Sequence, residues 1–273
     1  GIGKAAIWPI HYWLPAAMVA PTPVSALLHA VAVVKAGVFS IVKVFVYIFG
    51  LDYLTETGAS QWVVYLAGFT VVLASMIALT HDNLKKRLAF STVSQLSYVT
   101  MAAAVATPAA VLGAMLHIAA HAVSKITLFF AAGSLHTAGH LDNISQLDGA
   151  GRRMPWTMGA FAVGAVAMIG LPPTAPFLSK WFMLEGYLGA GQDFALGVIL
   201  VSTVLNACYF LPIVWRAFWR APPAPTAEHP AHGEGPLPSV VARTLTAAAT
   251  ISLFVYPDAV QSLARAVLAP EAP

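Results

Sequence analysis

The chain has 273 residues, 59% of them hydrophobic and only 9% charged, against roughly 25% charged in soluble domains, which excludes an ordinary water-soluble fold and points to the membrane. Its formal charge of +3 does not mark a nucleic-acid binder, because the basic residues are spread between apolar runs and form no patch with interleaved aromatics. Cys208 is the single cysteine, so neither a disulfide framework nor a thiolate metal cluster is available.

A helix of about 20 apolar residues crosses a hydrocarbon layer roughly 30 Å thick. Apolar length and Pro/Gly punctuation predict an all-α polytopic bundle. A partial span over 1–17 comes first, followed by seven spans over 25–49, 61–80, 88–106, 110–136, 156–188, 195–219 and 240–257. The chain opens at Gly1 without a leader and is apolar at once, so it is expected to be the C-terminal part of a longer core. The span over 156–188 contains Leu171-Pro172-Pro173-Thr174-Ala175-Pro176. Proline removes a backbone donor and clashes with the preceding turn, so this span is expected to be a broken helix. Alternate crossings put Lys85, Lys86, Arg87, Arg152, Arg153, Arg216, Arg220 and Arg243 on one side and Arg265 on the other. The positive-inside rule makes the basic side cytoplasmic. Three parts follow: a membrane domain over 1–220, a Pro-rich cytoplasmic linker over 221–239 that is expected to be poorly ordered and to carry no chemistry, and a terminal transmembrane helix with its tail over 240–273.

Lys4, His29, Lys35, Lys43, His117, His121, Lys125, Lys180 and Glu185 stand within or at the ends of these spans. A charge near the bilayer centre costs roughly 2.5 to 3.5 kcal/mol even on the lenient insertion scale, so several together call for a reason. His117, His121 and Lys125 are four residues apart, a rotation of about 40° per step and a climb of about 12 Å along one helix face. Ala114, Ala119, Ala120, Ala122 and Ser124 surround this stripe and allow helices or waters to come close.

Several readings of the stripe stand side by side. The histidines are neutral packing residues and Lys125 snorkels, or the three form a proton relay. In a relay, imidazole both donates and accepts a proton and a lysine withdrawn from water becomes able to shed one. Steps of about 6 Å along the face then need water between them. The H-x-x-x-H spacing also admits a metal or a haem, although the glutamate of the zinc-protease motif is missing and only His29 is offered as a second haem ligand. Lys35 lies near mid-span, whereas Lys43 sits closer to an end and reads as an anchor or an accessory group. Lys180 follows the Pro-rich break, where freed carbonyls polarise a site. The lysines outnumber the one carboxylate, Glu185, itself an accessory candidate, so counter-charges are expected from an upstream part or from neighbouring subunits.

A resemblance rests on Gly3-Lys4, on Pro9-Ile10-His11-Tyr12-Trp13-Leu14-Pro15, and on the run from Ala20 through Pro21-Thr22-Pro23 to His29. It continues through Asn83 to Gln95, His117-Ile118-Ala119-Ala120-His121, Lys125, and Leu171-Pro172-Pro173 leading to Phe177-Leu178-Ser179-Lys180. This pattern resembles the antiporter-like membrane subunits shared by respiratory complex I (NADH:quinone oxidoreductase), Mrp-type cation/proton antiporters and membrane-bound hydrogenases. The resemblance implies a core of two inverted halves, each with a broken helix, of which this chain would be the C-terminal part. It implies proton-relay roles for Lys4, His29, His117, His121, Lys125 and Lys180, and Lys35 resembles a second lysine found in one branch. Trp181 stands where some relatives carry an acid, and Ala16-Ala17-Met18 replaces another. The stretch from Leu205 to Arg216 leans toward the Mrp-type branch.

The expected function is proton translocation as one member of a multi-subunit monovalent cation/proton antiporter. A proton-pumping arm of an NADH:quinone oxidoreductase or hydrogenase is the alternative, and a haem-binding electron-transfer subunit stands in another class. No catalytic site, cofactor or metal of its own is expected, and the partners are sister membrane subunits, protons, sodium as a further candidate, and the lipid bilayer. The expected location is the cell (inner) membrane, with cytoplasmic loops at Lys85–Arg87, Arg152–Arg153 and 221–239. Protons would enter near His29, reach Lys125 by way of His117 and His121, and leave through Lys180.

Overall fold

The computed structural model describes residues 2–27, 32–222 and 233–268, which are helical or irregular with no strand among the described residues. The partial span over 1–17 is not one helix. Ala6 turns to φ +56° after α1 (Ile2–Ala5), and a turn through Pro9 leads to α2 (Trp13–Ala16). Proline supplies no N–H to carry a helix across that turn, and the Trp13 indole closes it by donating to the Gly3 carbonyl at 2.8 Å.

Of the span expected over 25–49, the structure describes α3 (Thr22–Ala26) before residues 28–31 and α4 (Val33–Lys43) after them, and His29 lies outside the described residues. α4 loosens into a π-helical stretch, Val44–Phe49, then bends by 82° at Gly50 (φ +79°) into α5 (Leu51–Thr57).

Elsewhere the apolar runs fold as long helices. α6 is Gln61–Thr80 and α7 is Leu84–Val105. Asn83 caps α7 by accepting from the Lys86 amide at 3.1 Å, so Lys85, Lys86 and Arg87 belong to its first turn and not to a loop. α8 (Pro108–Gly139) opens with Thr107 as cap and Pro108 in the first turn, where its missing N–H costs nothing. After the short α9 (Ala150–Arg153) comes the anticipated break, between α10 (Pro155–Ile169) and α11 (Ala175–Gly189). α12 is Asp193–Trp219 and α13 is Leu237–Val255, which starts three residues before the expected 240. The tail is not featureless: α14 (Asp258–Leu268) lays Val260, Ala264 and Leu268 against Leu112, Leu116 and Phe182. Five of these helices are long and apolar enough to cross a membrane, and α4 with α5 makes a sixth if the bent pair is one span.

α8 is the hub, packed by α7, α10, α11 and α13, and α7 is the most enclosed of the spanning helices. Two apolar cores lie along α8, one including Ala110, Val111 and Ala114, the other Leu128, Phe129 and Leu135. Between them stand His117, His121 and Lys125. Large apolar side chains such as Trp62, Phe69, Val204 and Trp215 face outward, as lipid contact requires.

The loops at one end are tied together. The Leu84 amide donates to the Asp142 carbonyl (2.9 Å), Ile144 to Asp82 (2.8 Å) and Gly149 to Arg216 (3.1 Å). The end of the supposed linker also has a structural role. Glu234 accepts from the Trp156 and Thr157 amides (2.7 and 3.1 Å) at the start of α10 and pairs with Arg243 at 2.7 Å. An exposed helix start with no partner for its first amides recruits such a carboxylate, and residue spacing alone could not reveal it.

Candidate functional site

Four-residue spacing sets His117, His121 and Lys125 on one stripe, but the drift of about 40° per step gives each a different set of partners. His117, fully buried, brings Nδ1 to the Ser179 hydroxyl on α11 (2.8 Å) and Nε2 to the Gln95 side-chain oxygen on α7 (3.1 Å). Both ring nitrogens are thereby engaged. His121 turns to α4, where Lys35 Nζ donates to its Nδ1. Lys125 turns to α7 and donates to the Ser91 hydroxyl, with the Phe210 ring 5.8 Å away.

Two glycines make these contacts possible. A Cβ on Gly113 would stand 2.7 Å from the Ser179 carbonyl oxygen and the Met183 nitrogen, so α8 and α11 meet at a distance that only glycine permits, and His117 reaches Ser179. Gly170 closes α10 at φ +87°, and a Cβ there would lie 2.7 Å from Lys180 Cδ. Lys180, buried on α11, donates to the Ile169 and Met168 carbonyls at 2.8 and 3.3 Å. These carbonyls lose their intrahelical partners because α10 stops there, so the break itself supplies the acceptors.

The Met168 carbonyl also accepts from the Gln95 side-chain amide at 3.1 Å. The polar groups therefore connect in the order Lys35, His121, His117, Gln95 and Lys180, with the two imidazole centroids 6.0 Å apart. The hydrogen bonds thus run from His117 toward Lys180, and Lys125 stands on a separate contact with Ser91.

His29 lies outside the described residues, and Lys4, Lys43 and Glu185 are not brought to this centre. Lys4 and Glu185 are exposed. Lys43 is also exposed, with its ammonium 5.9 Å from both the Phe39 and Tyr47 rings. Ser91, Gln95 and Ser179 complete the site although none was singled out as a site residue. The signal was present in Ser91-Thr92-Val93-Ser94-Gln95-Leu96-Ser97-Tyr98, a polar run on a helix that the apolar flanks place inside the membrane.

Known proteins share this arrangement of helices. The chain is 35% identical over 245 residues to NADH-quinone oxidoreductase subunit N of Desulforudis audaxviator, covering 87% of this chain and 47% of that protein. It is 37% identical over 234 residues to a component of the probable K+/H+ antiporter of Rhizobium meliloti, covering 83% of this chain and 23% of that protein. The chain thus spans less than half the length of these curated relatives. The fold superposes on a chain of the Mrp complex from a Dietzia species with a TM-score of 0.88 at 20% identity, covering 97% of this chain and 56% of the other. Residues 2–206 match the family described as NADH:quinone oxidoreductase/Mrp antiporter, TM, and the chain belongs to that family of multi-pass membrane proteins.

Proposed function

We propose that this chain moves protons across the membrane through its buried lysines and histidines, as one subunit of a larger antiporter or quinone-linked membrane complex. The observation that carries the reading is the connected set Lys35, His121, His117, Gln95 and Lys180. It is held between two apolar cores, and its amines are bonded to neutral groups and to no carboxylate among the described residues.

Neutral acceptors hold an ammonium in place without fixing its charge as a carboxylate would. Lys35 and His121 share one hydrogen bond, so a proton placed on either nitrogen is available to the other. Transfer from His121 to His117 across the centroid separation of 6.0 Å requires a bridging water, and Gln95 and Ser179 hold the second ring in position to receive the proton. A charge on one amine disfavours a charge on the next in a medium of low dielectric, so protons advance singly. A counter-charge on an upstream segment or a sister subunit, moved toward or away from the relay, would couple this advance to the partner reaction. The basic residues gathered at the end where α7 begins make that end cytoplasmic.

The test is proton flux into vesicles carrying the full-length subunit in its assembled complex. Replacing Lys180→Ala is expected to bring flux to the level of empty vesicles, and wild-type flux in a fully assembled Lys180→Ala complex rules the relay out.

A further inference from the structure

Away from the buried lysines and histidines, the bend between α4 and α5 borders a cavity of about 470 Å³ at the end of the bundle where α7 finishes. Its walls are the π-helical stretch through Val44, Phe45 and Phe49, Val63 and Leu66 of α6, and Thr100 of α7. Val44, Phe49 and Trp62 line it and are also exposed on the outer surface, so it opens toward the bilayer. Thr100 stands five residues before Val105, the last of α7, which is about 8 Å along the helix.

Water does not suit this space. A bound water needs two to four polar partners, and of the three hydroxyls in the lining, Ser40 already donates to the Ala36 carbonyl and Ser60 to the Ala104 carbonyl. Thr100 is different: it is 1% exposed, and its hydroxyl has no hydrogen-bond partner among the described residues. A threonine inside a helix ordinarily bonds back to the carbonyl one turn earlier, so this hydroxyl is left over for another acceptor. A helix is too wide to be that occupant, because at 10–12 Å across a single turn would fill the space. A dry apolar cavity of about 150 Å³ takes one benzene, so three times that volume takes roughly eighteen carbons, the size of one acyl chain.

We propose that this cavity binds one phospholipid of the leaflet away from the basic end, with an acyl chain between α4, α6 and α7 and an ester carbonyl accepting the Thr100 hydroxyl. A lipid in the bilayer is already out of water, so its transfer into the cavity gains nothing from the hydrophobic effect. What holds it is contact across a space that would otherwise leave the lining without neighbours, together with the one hydrogen bond. A hydroxyl without a partner is costly in an apolar wall, and an ester is the acceptor that a phospholipid carries at the head of its chains.

The experiment uses the full-length subunit in its complex, reconstituted in phosphatidylethanolamine vesicles that contain a trace of the same lipid with a photoactivatable diazirine on one acyl chain. After irradiation, peptide mass spectrometry is expected to find Val63 and Leu66 labelled about tenfold above Val204 of α12, which faces outward with no such cavity. Leu66→Trp fills the cavity and should bring labelling of Val63 down to the Val204 level. Thr100→Val keeps the shape and removes the hydroxyl, so it should cut the excess about fivefold, the effect of one hydrogen bond. It also supplies the readout if Leu66→Trp fails to assemble. Labelling of Val63 and Leu66 no higher than that of Val204 overturns the site, whether lipid touches it only as solvent or another protein segment covers it. An excess that Thr100→Val leaves unchanged overturns the assigned hydrogen bond, and one that also survives Leu66→Trp overturns the cavity as its source.

Discussion

The end of the bundle where α7 begins and the centre of the bundle both hold basic side chains, but they satisfy them differently. At the end, Arg216 and Arg220 reach Asp148 at 2.6 and 3.2 Å, Arg243 reaches Glu234 at 2.7 Å, and His136 reaches Asp142 at 2.9 Å. At the centre, Lys35 meets an imidazole, Lys125 a hydroxyl and Lys180 two backbone carbonyls. A carboxylate partner makes loss of the proton expensive and so fixes the charge in place. A neutral partner satisfies geometry and leaves the charge free to change. In the relay proposed above, the ends hold their charges and the centre exchanges them, within one chain and a few helical turns of each other.

The largest test of that contrast compares two lysines of α4. Lys35→Met is expected to reduce proton flux in vesicles by about a hundredfold, the scale of losing a positioned acid–base group, whereas Lys43→Met, removing an exposed anchor, should leave flux near wild type. Equal losses from both would erase the distinction between centre and periphery. Next in size is Glu234→Gln, which leaves the fully buried Arg243 without its counter-charge and should cost about 3 kcal/mol, read as a lower Tm of the detergent-solubilised subunit.

Gly113→Ala should cost about 2 kcal/mol by wedging α8 from α11, and it should lower flux as well because His117 loses Ser179. A thermal melt together with the flux assay separates these two effects. The smallest effect belongs to Asp148, whose carboxyl the Arg216 hydrogen bond, aided by Arg220, holds below its ordinary range. Its folded-state pKa is depressed, so the stability it contributes is present above the ordinary carboxylate value of about 3.9 and is lost as pH falls through its own lower value. Asp148→Asn should therefore cost about 0.5 kcal/mol near neutrality for a partly exposed pair, read as a slightly lower melting temperature, and the difference from wild type should vanish in strong acid.

Much of this was legible in the residues. Apolar runs such as 61–80 and 195–219 fix helices because lipid offers no partner for backbone groups, so only a closed helical ladder is tolerated there. The prolines after Leu171 dictated a break, since they cannot continue the ladder. The misplacement of Lys35, His117, His121, Lys125 and Lys180 in apolar surroundings was visible from cost alone. The tertiary structure decided which of these side chains meet. Spacing of four residues put three of them on one stripe, but the angular drift of a helix sends His117 to both α11 and α7, His121 to α4 and Lys125 to α7, and no local rule says which helix stands in each direction. The partners Ser91, Gln95 and Ser179, and the capping of α10 by Glu234, depend on contacts between residues far apart in the chain. Propensity and periodicity are properties of neighbours in sequence, whereas the choice of a hydrogen-bond partner is a property of neighbours in space.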